Sequence, residues 1–269
     1  MSSFIWYELM TTDADRASAF YQAVMGWKIS GGGTGQVGPE EYRHIVRSDG
    51  SSQGGVLPLS KDMVASGMRT AWVPYLHSRD VDATVAAISR DGGHVLMPAV
   101  SIEVGRIAMV ADPQGVPFYV MTPVPPPGKE GMVSDVNSGM EVKRVSWNEL
   151  ASPQLEASKA FYAKHFGFVF KDTMPMGPAG DYCFMDDPDG SRPGAMMQRQ
   201  DNASPPQWRL YFRVPSIDAA KQAMEARGGK VLNGPHEVPG GDWAMQVQDP
   251  EGADFGLVGA RPTEGGKLA

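Results

Sequence analysis

The feature that most constrains the fold of this chain is an internal repeat. The segment Phe4-Ile-Trp-Tyr-Glu-Leu-Met10 returns as Val145-Ser-Trp-Asn-Glu-Leu-Ala151, with its Trp, Glu and Leu 141 positions apart. The features that follow keep the same order in both copies. At 269 residues, the chain has the length of two domains of ordinary size. The repeat therefore predicts two similar domains, each able to bury a core.

Each copy contains two successive units, and each unit has the pattern strand-helix-strand-strand-strand. Strands and helices are recognised by alternating and helical spacing of apolar residues. The helices are predicted to stop at glycines: Gly26, Gly92, Gly167 and Gly228. In the second copy, Ser152 is the expected N-cap of the first helix, and Pro153 is expected at its first helical position. The pattern predicts an α+β fold.

Composition changes mark the domain boundaries. We expect a first domain over residues 1–123, a linker over 124–139, a second domain over 140–261 and a flexible tail over 262–269. The proline-rich start of the linker, Pro123-Val-Pro-Pro-Pro-Gly128, should stiffen the exit from the first domain.

Charge and composition exclude several kinds of partner. A net charge of −7 without a basic cluster argues against nucleic acid and anionic membranes. No apolar run approaches the roughly 20 residues that span a bilayer, and no signal peptide is visible, so the cytoplasm is the expected location. The single cysteine, Cys183, excludes an internal disulfide. A small-molecule ligand is the expected partner, and the protein is expected to be a monomer or a homodimer.

The order of motifs resembles the vicinal oxygen chelate superfamily, which includes glyoxalase I, extradiol dioxygenases, and bleomycin- and fosfomycin-resistance proteins. The resemblance covers nearly the whole chain and rests on four motifs in each copy: Phe-Tyr-x4-Gly from Phe20 and Phe161, Asp-Val-Asp-Ala from Asp80 with its echo from Ser216, a Gly-Gly pair before a strand, and Asp-Pro-x-Gly from Asp112 and Asp249. The Trp-x-Glu-Leu openings look like a tandem glyoxalase-like, or hydroxylase-like, subgroup. The resemblance implies two domains, each a pair of βαβββ modules whose curved mixed sheet surrounds a cavity.

The usual metal ligands of that superfamily are not found at the matching positions. Metal-using members place His, Glu or Gln on the first, fourth, fifth and eighth strands of a domain. This sequence has there Trp6, Val73 and Tyr119 in the first copy, and Trp147, Arg209 and Gly256 in the second; of the fourth strands, only Gln198 offers a weak donor. We therefore predict no cofactor. A divalent metal, Ni, Zn, Fe or Mn, is the alternative.

Two carboxylates are the sharpest catalytic candidates. Alternation along a strand puts Glu8 on the face of Trp6, and Glu149 on the face of Trp147. A carboxylate facing a cavity suits a general acid or base. A structural carboxylate and a metal ligand displaced by two residues are the alternatives.

The two cavities are expected to differ in chemistry. The first is predicted to be aromatic and nearly neutral, with ligand contacts from Trp6, Tyr42, His44, Tyr75, His77 and Tyr119. The second is predicted to be basic and suited to an anion, or to pairing Glu149, with contacts from Trp147, Arg209, Tyr211 and Arg213. The alternative for the arginines is a position at the rim, in water.

As the resemblance implies, the expected function is to bind or transform a small organic molecule in a cavity that lacks the usual metal ligands. A metal-dependent lyase, isomerase or dioxygenase of the glyoxalase I type is the first alternative. A non-catalytic scaffold or sequestration protein is the second. The sequence leaves open whether the protein is an enzyme.

Overall fold

The fold was analysed in a computed structural model that describes residues 3–30, 42–125, 127–128, 131, 133–200 and 205–261. The predicted tail, 262–269, lies outside the described residues, as does part of the predicted linker. No helix among the described residues is long and apolar enough to cross a membrane.

The first half of the chain forms one sheet and its helices. Its elements are β1 (Phe4–Thr11), α1 (Ala14–Met25), β2 (Lys28–Ser30), β3 (Arg43–Val46), β4 (Ser52–Pro58), α2 (Lys61–Ala65), β5 (Ala71–His77), α3 (Val81–Arg90), β6 (His94–Ile102), β7 (Gly105–Ala111) and β8 (Pro117–Pro123). The second half repeats this order with β9 (Val145–Ser152), α4 (Leu155–Phe166), β10 (Thr173–Pro175), β11 (Asp181–Met185), β12 (Gly194–Gln198), β13 (Trp208–Val214), α5 (Ile217–Glu225), β14 (Lys230–Glu237), β15 (Trp243–Gln248) and β16 (Asp254–Gly259).

Each half contributes one eight-stranded mixed sheet. The strand orders are β2-β3-β4-β1-β5-β8-β7-β6 and β10-β11-β12-β9-β13-β16-β15-β14. The inner pairs β1–β4, β5–β8, β9–β12 and β13–β16 are parallel, and hairpin neighbours such as β7–β8 are antiparallel. The predicted α+β fold with two tandem domains of the superfamily's type is confirmed.

Helix boundaries follow local capping chemistry. The side chain of Asp13 accepts a hydrogen bond from Arg16 N at the start of α1, and Gly26 ends that helix in the left-handed conformation. The predicted first residue of α4, Pro153, lies two residues before the observed one. This helix begins at Leu155 after Gln154, which makes no side-chain cap. Ser152 instead ends strand β9, and its Oγ accepts from Gln154 N.

Contacts divide the chain into two compact units, and each unit contains segments from both halves. The first compact unit comprises Met1–Tyr7, Val73–Asn137 and Trp147–Trp208. The second compact unit comprises Glu8–Trp72, Ser138–Ser146 and Arg209–Ala269. Each unit therefore combines one βαβββ module of the first half with one module of the second. The predicted domain limits at 123 and 140 stay predictions.

The core of the second compact unit is built around Tyr21 on α1. Its hydroxyl donates to Asp249 Oδ2 at 3.0 Å and accepts from Trp72 Nε1 at 2.8 Å. The Phe255 ring contacts Tyr21, and the Phe212 ring contacts Trp72. Burial raises the pKa of both the Tyr21 phenol and the Asp249 carboxyl. Tyr21 and Trp72 belong to the first half, and the other three residues to the second.

The core of the first compact unit repeats this arrangement with the halves exchanged. Trp208 Nε1 donates to the Tyr162 hydroxyl at 3.2 Å, and the Tyr162 ring contacts Phe118. The Tyr162 hydroxyl faces Asp112. Burial raises the pKa of the Asp112 carboxyl, and the contact with the Tyr162 hydroxyl acts in the opposite direction. Asp112 Oδ2 is buried and has no well-aligned hydrogen-bond donor among the residues that the structure describes. This Tyr–Asp contact is therefore looser than the one between Tyr21 and Asp249.

Candidate functional site

The clearest candidate site lies in the first compact unit, on the middle strands of the second sheet. Trp147 and Glu149 are two residues apart on β9, so they share a face. Tyr182 and Phe184 are likewise two residues apart on β11 and share a face of that strand. Strand β12 lies between the two, and its Ala195 is in register with Glu149.

These side chains form a short chain of hydrogen bonds. Trp147 Nε1 donates to the Tyr182 hydroxyl at 2.7 Å, and that hydroxyl donates to Glu149 Oε2 at 2.8 Å. The Glu149 side chain is buried, with 7% of the residue exposed, whereas Trp147 and Tyr182 are half-buried. The arrangement brings a buried carboxylate together with aromatic side chains that keep part of their surface in solvent.

Phe184 extends the aromatic group and carries a cation. Its ring meets the Trp147 ring edge-on at 6.1 Å and the Tyr182 ring at 5.8 Å. The Arg192 guanidinium lies 4.8 Å from the centre of the Phe184 ring. Arg192 is held by Asp186, with Nε 2.6 Å from Oδ1. We call Trp147, Tyr182 and Phe184 the aromatic platform.

The corresponding residues of the first half that lie in the second compact unit are arranged differently. Glu8 is 3% exposed and stands in register with Gly55 on β4. The Tyr42 ring fills the space above that glycine, because a Cβ built on Gly55 would lie 1.8 Å from the Tyr42 hydroxyl. His44 is exposed, and its ring meets that of Tyr42 edge-on at 5.5 Å. Trp6, on β1 in the first compact unit, is half-buried.

Three predicted ligand-binding residues of the first half lie together on β5 and β8 in the first compact unit. Tyr75 and Tyr119 are in register and stack with ring centres 4.2 Å apart and planes 14° from parallel. Both are buried, at 6% and 4% exposed. His77 is half-buried, and burial, helped by the Arg79 charge, lowers its pKa. The histidine is therefore neutral at neutral pH.

The predicted basic face of the second half lies in the second compact unit. Arg213 pairs with Asp242, with Nη2 2.7 Å from Oδ2. Tyr211 accepts a hydrogen bond from Gln246 Nε2 at 3.2 Å. Arg209 is half-buried. An arginine already paired with a carboxylate offers less charge to an anionic ligand, so the Arg213–Asp242 pair reduces the basic character expected from the sequence.

The positions at which the resemblance implies metal ligands do not suit a divalent ion. At the last-strand position of the second half, a Cβ on Gly256 would lie 2.1 Å from Tyr211 Cδ1, so the tyrosine ring fills the place of a ligand. Gln198 bonds the backbone of Leu155 and Pro153. In the described ranges, no three His, Cys, Asp or Glu side chains come together to hold a metal. A divalent ion needs several donors at about 2.0–2.6 Å, so these residues do not fit one.

The sequence analysis missed three members of this site, Tyr182, Phe184 and Arg192, although the repeat aligns Tyr182 with Tyr42, which was selected. Phe184 could have been found, because the repeat aligns it with His44, which was selected, and because alternation puts it on the face of Tyr182. Arg192 follows a turn and reaches the ring from outside the strands, so no periodic signal marks it.

Comparison with known proteins agrees with this architecture. The protein named "Putative glyoxylase CFP32" from Mycobacterium tuberculosis (strain CDC 1551 / Oshkosh) is 27% identical over 265 residues, which cover 96% of this chain and 95% of the relative. "Anthracycline biosynthesis protein DauV" from Streptomyces sp. (strain C5) is 27% identical over 269 residues, covering 95% and 92%. The crystal structure of the Mn(II)-bound glyoxalase from Novosphingobium aromaticivorans shares the fold, with a TM-score of 0.61 and 17% identity over 97% of this chain and 82% of that one.

Both halves also match one family. The sequence profile of the Glyoxalase/Bleomycin resistance protein/Dioxygenase superfamily matches residues 3–120 and again residues 144–257. The two matches correspond to the two eight-stranded sheets. The chain belongs to the Glyoxalase/Bleomycin resistance protein/Dioxygenase superfamily.

Proposed function

We propose that the protein binds a small planar organic molecule on the aromatic platform of the second half, with Glu149 accepting a hydrogen bond from a ligand hydroxyl. The observation that carries this proposal is the hydrogen-bond chain from Trp147 through Tyr182 to Glu149. A chain of this kind fixes the orientation of a carboxylate before a ligand arrives, which lowers the ordering cost of binding.

The platform supplies the apolar part of such a site. Aromatic side chains each offer a large apolar surface and favour stacked or edge-to-face contacts with another ring. The three rings are half-buried, so part of each is accessible. Glu149 supplies the polar part, because a carboxylate oxygen can accept a hydrogen bond from a ligand hydroxyl. A few polar groups among aromatic side chains are typical of small-molecule sites.

One relative supports this ligand class by its name, which refers to anthracycline biosynthesis. An anthracycline is a fused-ring molecule with phenolic hydroxyls, so its chemistry matches a ring platform beside a carboxylate. In a turnover reaction the same carboxylate would be the group that takes a proton from the ligand, but binding is the whole of the proposal.

The test uses two probes that differ by one donor. 2-Naphthol has a ring system and a hydroxyl donor, whereas 2-methoxynaphthalene has the ring system without the donor. Calorimetry should show that 2-naphthol binds more tightly, and that Glu149→Gln or Tyr182→Phe weakens 2-naphthol by roughly tenfold or more. Glu8→Gln and Tyr42→Phe are the matched controls in the first half and should leave binding unchanged. Binding that depends on the controls but not on Glu149 would refute the assignment.

A metal-dependent lyase, isomerase or dioxygenase is the second candidate, and the fold shared with a Mn(II)-bound glyoxalase favours it. The same titrations should be run after chelation and after addition of Ni, Zn, Fe or Mn. Elemental analysis of the purified protein should accompany them. Stoichiometric metal, or binding that requires a metal, would support this candidate against ours. If the protein is a scaffold that binds no ligand, no probe should raise its melting temperature.

A further inference from the structure

The two copies of the repeat differ at one structural position, between the start of a helix and the end of the last strand. In the second half, the Arg261 guanidinium lies 4.0 Å from the centre of the Trp243 ring. The same guanidinium pairs with Asp218, with Nη2 2.7 Å from Oδ1. A planar guanidinium suits both partners, because its face attracts a ring and its edge binds a carboxylate. The second half therefore completes a guanidinium–ring pair within its own chain.

Strand register identifies the equivalent residues of the first half. Strands β7 and β8 pair in the same register as β15 and β16, so Arg106 corresponds to Trp243. Two residues beyond the end of that register, Val124 corresponds to Arg261. The first half thus has a guanidinium where the second has a ring, and a valine where the second has the guanidinium.

The carboxylate is kept in the first half, and it binds the guanidinium at the exchanged position. Asp82 is the second residue of α3, as Asp218 is of α5. Arg106 donates to it through Nε at 2.6 Å and Nη2 at 2.7 Å, and through Nη1 to Ser101 Oγ at 3.0 Å. In the part of the chain that the structure describes, no aromatic ring lies over this guanidinium. The ring is the missing member of the group.

A cavity of about 360 Å³ lies at this place in the first half, within the first compact unit. Its volume falls in the range of roughly 300–1,000 Å³ that is usual for small-molecule sites. The lining includes Arg79, Asp80, Val81, Ile102, Arg106 and Val124. Arg79 is exposed and forms no ion pair with any residue that the structure describes. The Asp80 carboxylate accepts a hydrogen bond from Ala83 N as the cap of α3.

We propose that this cavity binds a small aromatic carboxylate, whose ring lies on the Arg106 guanidinium and whose carboxylate pairs with Arg79. The ligand supplies the ring that the second half carries in its own chain. The apolar side chains of Val81, Ile102 and Val124 surround the edge of that ring. None of the lining residues belongs to the aromatic platform, so this site is separate from the one proposed above.

The test is a titration of the ¹⁵N-labelled protein with benzoate, followed through the NMR shifts of backbone amides. The shifts should concentrate at cavity residues such as Gly105, Arg106 and Val124. Cyclohexanecarboxylate has the charge without the aromatic ring, and benzamide has the ring without the charge. Each should bind about two- to fivefold more weakly than benzoate, as expected for an exposed cation–ring contact and an exposed ion pair. Equal affinity of either probe, or shifts confined to other residues, would overturn the proposal.

Substitutions locate the ligand. Val124→Trp should remove benzoate binding, because an indole at this position supplies the missing ring from within the chain. Val124 is 59% exposed, so the larger side chain should not disturb folding. Val133→Trp is the matched control, at a valine that is 53% exposed and does not line the cavity. It should leave binding unchanged. Benzoate binding that survives Val124→Trp would contradict the assignment.

Two further variants separate the charge contact from the aromatic platform. Arg79→Gln should weaken benzoate by about two- to fivefold and leave benzamide unchanged. Glu149→Gln should leave benzoate unchanged, because benzoate has no hydroxyl donor for that carboxylate. A loss of benzoate binding in Glu149→Gln would assign the ligand to the platform and overturn this proposal. Failure to bind benzoate would not affect the platform, which is tested with 2-naphthol.

Discussion

The contact between Tyr21 and Asp249 gives a quantitative prediction. Tyr21→Phe removes one hydroxyl that serves two buried partners, Asp249 Oδ2 at 3.0 Å and Trp72 Nε1 at 2.8 Å. Both partner residues are 2% exposed, so water does not replace the bond easily. A buried polar group left unsatisfied costs about 1–3 kcal/mol. Two such groups predict a loss of about 2–6 kcal/mol, which lowers the melting temperature by about 4–24 °C at about 2–4 °C per kcal/mol.

The internal repeat provides the matched comparison. Tyr162→Phe also removes the bond from Trp208, which is longer at 3.2 Å, and a contact to Asp112 that falls short of a hydrogen bond. Its cost should be smaller, about 1–3 kcal/mol. Urea unfolding of both variants measures the difference from the shift in midpoint at unchanged slope. A cost for Tyr162→Phe equal to that for Tyr21→Phe, or a cost below about 1 kcal/mol for Tyr21→Phe, would refute the reasoning.

Three further features are tested by substitution. Lys143 has φ +67°, and this left-handed backbone conformation is unfavourable for residues with a Cβ. Lys143→Gly should therefore stabilise the protein by about 0.5–1 kcal/mol, measured by urea unfolding. A loss of stability would contradict this. Burial raises the pKa of Asp249 above 3.8, so the folded state keeps a proton that the unfolded state has lost, and stability falls as pH rises through this range. Asp249→Asn should reduce that fall as the pH rises above the ordinary pKa of an aspartate, and an unchanged pH profile would exclude Asp249 as its source. Gly256→Ala should cost about 1–3 kcal/mol in stability, because the added Cβ would meet the Cγ and Cδ1 atoms of the Tyr211 ring. Gly55→Ala should cost less, because its Cβ would meet the hydroxyl end of the Tyr42 side chain. The opposite order of costs would show that the Tyr211 ring moves aside more readily than the Tyr42 ring.

Local chemistry explains why the fold could be read from the sequence. Asp80 accepts from Ala83 N at the start of α3, and Gly26 and Gly167 end their helices with φ +64° and +77°. Asp112 accepts from the backbone N–H groups of Gln114 and Val116 within its own turn. Each of these contacts spans four residues or fewer, so the motif contains all the atoms that it needs. Sequence reasoning works best for such features.

Contacts between distant segments explain what could not be predicted. The pairing of Arg213 with Asp242 joins strand β13 to the residue just before β15, 29 positions away, and nothing in either segment indicates it. The bond from Tyr21 to Asp249 spans 228 positions. Alternation gave the correct face for Trp147 and Glu149, but it could not show that Tyr182 joins them. The arrangement of the site is therefore a tertiary property, and only Trp147 and Glu149 among its members were selected from the sequence.

The family motifs and the candidate site lie on different residues, and this separation explains why the motifs do not reveal the chemistry. The Phe-Tyr motif supplies Tyr21, and the Asp-Pro-x-Gly motif supplies Asp249, so two family motifs meet in one buried bond. Both copies keep these residues because both compact units need the same core. At the site, the two copies diverge: Phe184 replaces His44, and Ala195 replaces Gly55. In a tandem repeat, positions that agree between the copies indicate folding requirements, and exposed positions that differ are the better guide to a ligand. By that criterion the second half, which alone carries the full aromatic platform, is the half to test first for binding.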